Sequence, residues 1–80
     1  MRATVFLIVI LTIVSHADTI EEIKKTCNAG DPKSCKIMGD LTRAGLGVQQ
    51  DKAKAEYYYD RACFDGNKDA CKELEIMKKD

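Results

Sequence analysis

Four cysteines set the terms for this chain: Cys27, Cys35, Cys63 and Cys71 form two pairs, each eight positions apart, and each pair member recurs after 36 residues. Laid one period apart, Cys27-Asn-Ala-Gly-Asp-Pro-Lys-Ser-Cys-Lys36 and Cys63-Phe-Asp-Gly-Asn-Lys-Asp-Ala-Cys-Lys72 share their cysteines, Gly30 with Gly66, and Lys36 with Lys72. Asp31 overlays Asn67, and both residue types are good helix N-caps. A period of this length signals a helical repeat array. The local chemistry defines the unit. Gly30 and Gly66 can take a left-handed conformation that ends one helix, the Asp or Asn starts the next, and Pro32 fits the first helical position, where its missing N–H is harmless. Each cassette is therefore helix end, tight turn, helix start. Its two cysteines face each other across an antiparallel corner, which favours Cys27–Cys35 and Cys63–Cys71 over the other two connectivities.

The first seventeen residues are of a different material. Arg2 precedes an apolar run from Val5 to Val14, broken only by Thr12, and Ser15-His16-Ala17 follows. That is the three-part pattern of a cleaved secretory signal peptide. A bilayer span takes about 20 apolar residues, twice this run. The expected mature domain, residues 18–80, then has no histidine and no membrane span. Export places it in an oxidising compartment, where cysteine pairs persist, and the expected location is secreted or periplasmic. A chain of this size has a small core and needs such staples. Structural zinc sites want cysteine pairs two to four residues apart, so no metal is expected, and no cofactor is implied. The formal net charge of +0 removes the electrostatic case for nucleic acid.

Four helices are expected: about Ile20–Asn28, Pro32–Ala44, a third from the N-cap Asp51 to about Asp65, and about Lys68–Lys79. Apolar residues recur at helical spacing, with Ile37, Met38 and Leu41 on the second helix and Ala55, Tyr58, Tyr59 and Ala62 on the third. Small residues at Gly39, Ala55 and Ala62 allow close helix approach. Gly45-Leu-Gly47-Val-Gln-Gln reads as a helix-to-helix connector, with Val48 plugging the gap between the second and third helices. It lacks the Gly-Lys-Ser/Thr ending of a phosphate loop.

Cys35-x-x-Met38-Gly39-x-Leu41, then Gly45-Leu-Gly47-Val48-Gln-Gln-Asp51, then Lys54-Ala55-x-x-Tyr58-Tyr59-x-Arg61-Ala62-Cys63 resembles the Sel-one-like repeat, a relative of the tetratricopeptide repeat. The paired corner cysteines make the chain similar to the Helicobacter cysteine-rich protein family. The resemblance covers nearly all of the mature segment and implies an all-α, short α/α solenoid of antiparallel pairs, one full repeat flanked by two half repeats. There are departures. Thr42 stands where the repeat usually has an aromatic. Glu75 stands one period after Gly39, so the last helix should cap the stack, with Leu74 and Met77 inward and a charged outer face. About three units are normally needed for stability, which leaves the disulfides an unusual share or points to self-association.

The resemblance implies an adaptor that holds a peptide, a protein or a peptidoglycan-like fragment, with Tyr57, Tyr58 and Arg61 as candidate binding residues. Three consecutive tyrosines cannot all point inward, because neighbours lie about 100° apart on a helix. Tyr58 and Tyr59 go mainly to the core and Tyr57 to the surface; a plainer reading makes all three packing residues with wet hydroxyls. The same family is commonly described as β-lactamases or penicillin-binding proteins, so the resemblance also implies a β-lactam ligand or its hydrolysis. The residues assign no catalytic group. Ser34, the only serine after residue 17, is followed by Lys36 in Ser-x-Lys rather than Ser-x-x-Lys, and Ser-Asp-Asn and Lys-Thr-Gly are absent. A third reading is an envelope scaffold or a secreted, host-facing protein.

Overall fold

The computed structural model describes residues 19–79, all of them helix or connection. The leader expected over residues 1–17 lies outside them. Helix α1 covers residues 19–28, α2 is Pro32–Ala44, α3 is Lys52–Phe64 and α4 is Lys68–Lys79. The fold is all-α, a short solenoid of antiparallel helix pairs. None of the described helices is long and apolar enough to cross a membrane.

The starts of α2, α3 and α4 are each built by a side chain that accepts an orphan N–H of the first turn. Asp31 accepts from Lys33 N at 3.2 Å, Asp51 from Lys54 N at 3.1 Å, and Asn67 from Ala70 N at 3.1 Å. The two cysteine corners are the same structure repeated. Gly30 N donates to Cys27 O and Asp31 N to Thr26 O; 36 residues later Gly66 N donates to Cys63 O and Asn67 N to Ala62 O. Gly30 and Gly66 have φ of 104° and 102°, a conformation open mainly to glycine. Disulfides Cys27–Cys35 and Cys63–Cys71 close the corners, with Cα atoms 4.5 and 4.7 Å apart, and account for all four sulfurs.

Both corners therefore sit on one edge of the solenoid, and the connector between α2 and α3 sits on the other. Alternate helices are lateral neighbours. Arg61 on α3 donates to Asn28 O at the end of α1, 3.1 Å away. Arg43 on α2 pairs with Glu73 on α4 at 2.7 Å. The core lies between the two rows: Cys27, Cys35, Met38, Ala55, Tyr58, Tyr59, Ala62, Ala70, Leu74 and Met77, with Ile23 and Leu41 packed against it. Gly39 lets Tyr59 in. A Cβ built on Gly39 would lie 2.6 Å from Tyr59 Cε1, so the ring rests directly on the α2 backbone. Leu74 and Met77 face inward and Glu75 faces solvent, as the capping reading requires.

Two details depart from the sequence expectation. Val48 is half-buried and its side chain shares a groove with Ile20 of α1 as well as Met38 and Tyr58; the connector folds back across α1, with Gly47 seated against Ile20. Thr42, in the place of an aromatic, is 2 % exposed and donates its hydroxyl to Met38 O at 2.7 Å, so the helix itself satisfies the buried polar group.

Candidate functional site

Three regions carry polar or aromatic chemistry. The first is a chain of side chains along the α2/α4 row. Tyr59 donates its hydroxyl to Asp40 at 2.5 Å, Lys36 donates to the same carboxylate at 2.9 Å, and Arg43 lies between Tyr59 and Glu73. Burial, then the Asp40 carboxylate, pushes the Tyr59 phenol well above its ordinary range, with Arg43 opposing part of the rise. The hydrogen bond to Asp40 raises Lys36 as well. A lysine or tyrosine base needs its pKa lowered toward neutrality; both groups move the other way. This chain fastens α2 to α3 and α4.

The second region is the first corner. Ser34 is buried. Its hydroxyl donates to Asp31 at 2.9 Å and accepts from Thr26 at 2.6 Å. One period later Ala62 and Ala70 stand in the places of Thr26 and Ser34, so the hydroxyl pair fills what is otherwise an alanine contact. Ser34 and Lys36 are two positions apart, about 200° around the helix axis, and Lys36 is engaged by Asp40 on its own face. The geometry supports a strut role for Ser34.

The third region is the outer face of α3. Tyr57 is 57 % exposed and Phe64, two turns on, is 89 % exposed. Asp60 is exposed between them and Glu56 is half-buried beside them. The candidate residues thus divide. Tyr57 is on the surface. Tyr58 is 5 % exposed, its ring edge-on to that of Tyr57 with centroids 5.6 Å apart. Arg61 faces α1 through Asn28, its other nitrogen reaching the Tyr57 hydroxyl at 3.5 Å. Tyr57 and Arg61 can meet a partner together; Tyr58 supports them from inside. Phe64 was missed in the sequence, yet the period points to it: it stands where the first unit has the exposed Asn28, a surface position given an aromatic ring.

The class of protein these observations define is a disulfide-linked, all-helical repeat module, and its two disulfides mark an oxidising environment. No family model, curated protein or solved structure matches the chain.

Proposed function

We propose that this is an exported helical repeat module that binds a protein or peptide through the outer face of α3. The leader-like residues 1–17 and the two disulfides support a secreted or periplasmic location. The observation that carries the binding role is the pair Tyr57 and Phe64, large aromatic surfaces left in water on a helix whose other face, Ala55, Tyr58, Tyr59 and Ala62, is buried. Aromatic residues with accessible faces are the usual anchors of interfaces. The likeness of the corner and helix sequences to Sel-one-like repeats supports the same reading.

The test uses oxidised protein from its native source, lightly cross-linked and compared with the Tyr57→Ala/Phe64→Ala double variant. The expected result is a cross-linked protein or peptide joined to α3 and lost in the double variant. Turnover of a chromogenic β-lactam that survives stringent repurification would overturn the reading, as would a cross-linking pattern unchanged by the substitutions.

A further inference from the structure

The molecule contains one groove twice. The first, of 130 Å³, has Ile20, Glu21 and Lys24 of α1 on one wall and Met38 and Thr42 of α2 on its floor; Lys54 and Tyr58 of α3 close it. The second, of 340 Å³, has Glu56, Tyr57 and Asp60 of α3 on the wall and Leu74 and Lys78 of α4 on the floor. These five positions are the first five advanced by 36 residues. In the first groove α3 lies as the third helix. In the second, no described helix takes that place, so its shape is that of a seat for one α-helix.

The chemistry of the seat has changed between the two copies. Ile20 becomes Glu56, Lys24 becomes Asp60, and Gly39 becomes Glu75, while Glu21 to Tyr57 and Thr42 to Lys78 move the other way. The second groove thus offers Ala53, Tyr57 and Leu74 as its apolar surface, with two carboxylates, Glu56 and Asp60, and one cation, Lys78, around them. Glu75 stands one period after Gly39, the glycine whose missing Cβ admits Tyr59, so a next repeat helix of α3 type would meet a carboxylate where it needs a void. A second copy of the chain fits no better. Its α1 would present Glu22 where α3 presents Tyr58, adding a like charge beside Glu56 and Asp60.

Resting on the binding-module reading above, we infer that the α3/α4 groove receives one basic amphipathic helix of a partner protein, its apolar stripe on Tyr57 and Leu74 and its lysine or arginine residues toward Glu56 and Asp60. Helix-in-groove recognition of this kind needs apolar anchors at i, i+3 or i+4 and flanking charge. Charge complementarity speeds encounter and selects partners, and it weakens with salt.

The probe is a labelled synthetic helix about 18 residues long, enough for appreciable helicity, made of alanine, leucine and lysine with one central tyrosine. A twin carries glutamate for lysine. Fluorescence anisotropy on the oxidised protein should show saturable binding of the lysine peptide and at least tenfold weaker binding of the twin. Glu56→Lys/Asp60→Lys should cost the lysine peptide at least tenfold, and Tyr57→Ala a loss of similar direction, with circular dichroism and thiol counts confirming that each variant is folded and bridged. Equal affinity of wild type and Glu56→Lys/Asp60→Lys would overturn the inference. So would a concentration-dependent dimer, seen by sedimentation without peptide and abolished by the same substitutions, because a second copy would then be the occupant. If native cross-linking to α3 persists while the lysine peptide fails to bind, the binding module stands and the basic-helix assignment falls.

Discussion

Gly39→Ala sets two physical effects of opposite sign against each other. In a helix interior alanine is favoured over glycine by about 1 kcal/mol. Against this, the new Cβ would stand 2.6 and 2.7 Å from Tyr59 Cε1 and Cδ1, whereas carbon atoms pack comfortably at about 3.5–4.0 Å. Relief needs a movement on the order of 1 Å. The Tyr59 ring is poorly placed to supply it, being fully buried and tied by its hydroxyl to Asp40. Overpacking of a set core costs about 1–3 kcal/mol, and a backbone-locked ring belongs at the upper end. The net is a destabilisation of about 2 kcal/mol, a fall in Tm of about 8–16 °C for a domain of this size. Propensity alone gives a rise instead. Thermal and urea unfolding by circular dichroism, with the disulfides intact, reads the sign. In a Tyr59→Leu background the ring is gone, and Gly39→Ala should become neutral or stabilising. A higher Tm for Gly39→Ala, or a cost that persists without the ring, would refute the reasoning.

Three further outcomes are expected. Cys27 and Cys35 are 0 % exposed while Cys63 and Cys71 are half-buried; under limiting reductant, alkylation and peptide mapping should therefore label Cys63 and Cys71 first, and losing either bridge should cost about 2–3 kcal/mol by the chain-entropy relation. The folded state holds the Tyr59 phenol above the ordinary phenol value of about 10, which favours the neutral form. Its contribution is therefore complete below that pH and lost as pH rises beyond it, so the urea midpoint should fall progressively as pH rises above about 10, and fall less in Tyr59→Phe. Ser34→Ala should cost about 1 kcal/mol, and Thr26→Ala/Ser34→Ala no more than that, since the double variant rebuilds in the first corner the alanine pair of the second; denaturant midpoints of the two variants decide it.

Much of this architecture could be read from residues close together in the chain. The corners are local: a glycine, a capping residue and two cysteines eight apart specify turn, helix start and bridge within ten residues, and the bonds recur at the same 36-residue offset as the letters. Gly39, Ala55 and Ala62 marked the close contact, and Glu75 the exposed outer face of α4. What escaped the sequence depends on encounters across the fold. The run from Lys36 through Asp40 and Tyr59 to Arg43 and Glu73 joins three helices, and none of its members looks unusual on its own helix. The return of the connector onto Ile20 is set by Gly47 and its φ of 74°, which the sequence allows but does not aim. Tyr58, also a candidate for contact with a partner, lies inside with Tyr59, as the helical spacing of the three tyrosines places them. Arg61 is turned toward α1 by the free carbonyl at that helix end.

The placement of the covalent links explains why one non-covalent contact carries so much. Each disulfide joins a helix to its immediate neighbour, α1 to α2 and α3 to α4, so the two stapled hairpins can remain intact while separating from each other. Their connection on the opposite edge is held by few bonds: Asp51 N to Thr42 O at 3.1 Å and Gln50 Nε2 to Arg43 O at 3.0 Å, the latter exposed. Solvent competes well for such groups, and each is worth little net. The union of the hairpins therefore falls mainly to the α2/α3 interface, where Tyr59 lies on Gly39, helped by the exposed Arg61 to Asn28 O bond, by Asn67 Nδ2 to Pro32 O and by the Arg43–Glu73 pair, whose partly exposed charges contribute about 0–1 kcal/mol. It follows that weakening this interface should leave a partly folded state of two bridged hairpins, with helical signal retained and tertiary packing lost. Reducing the disulfides should instead remove helix and packing together.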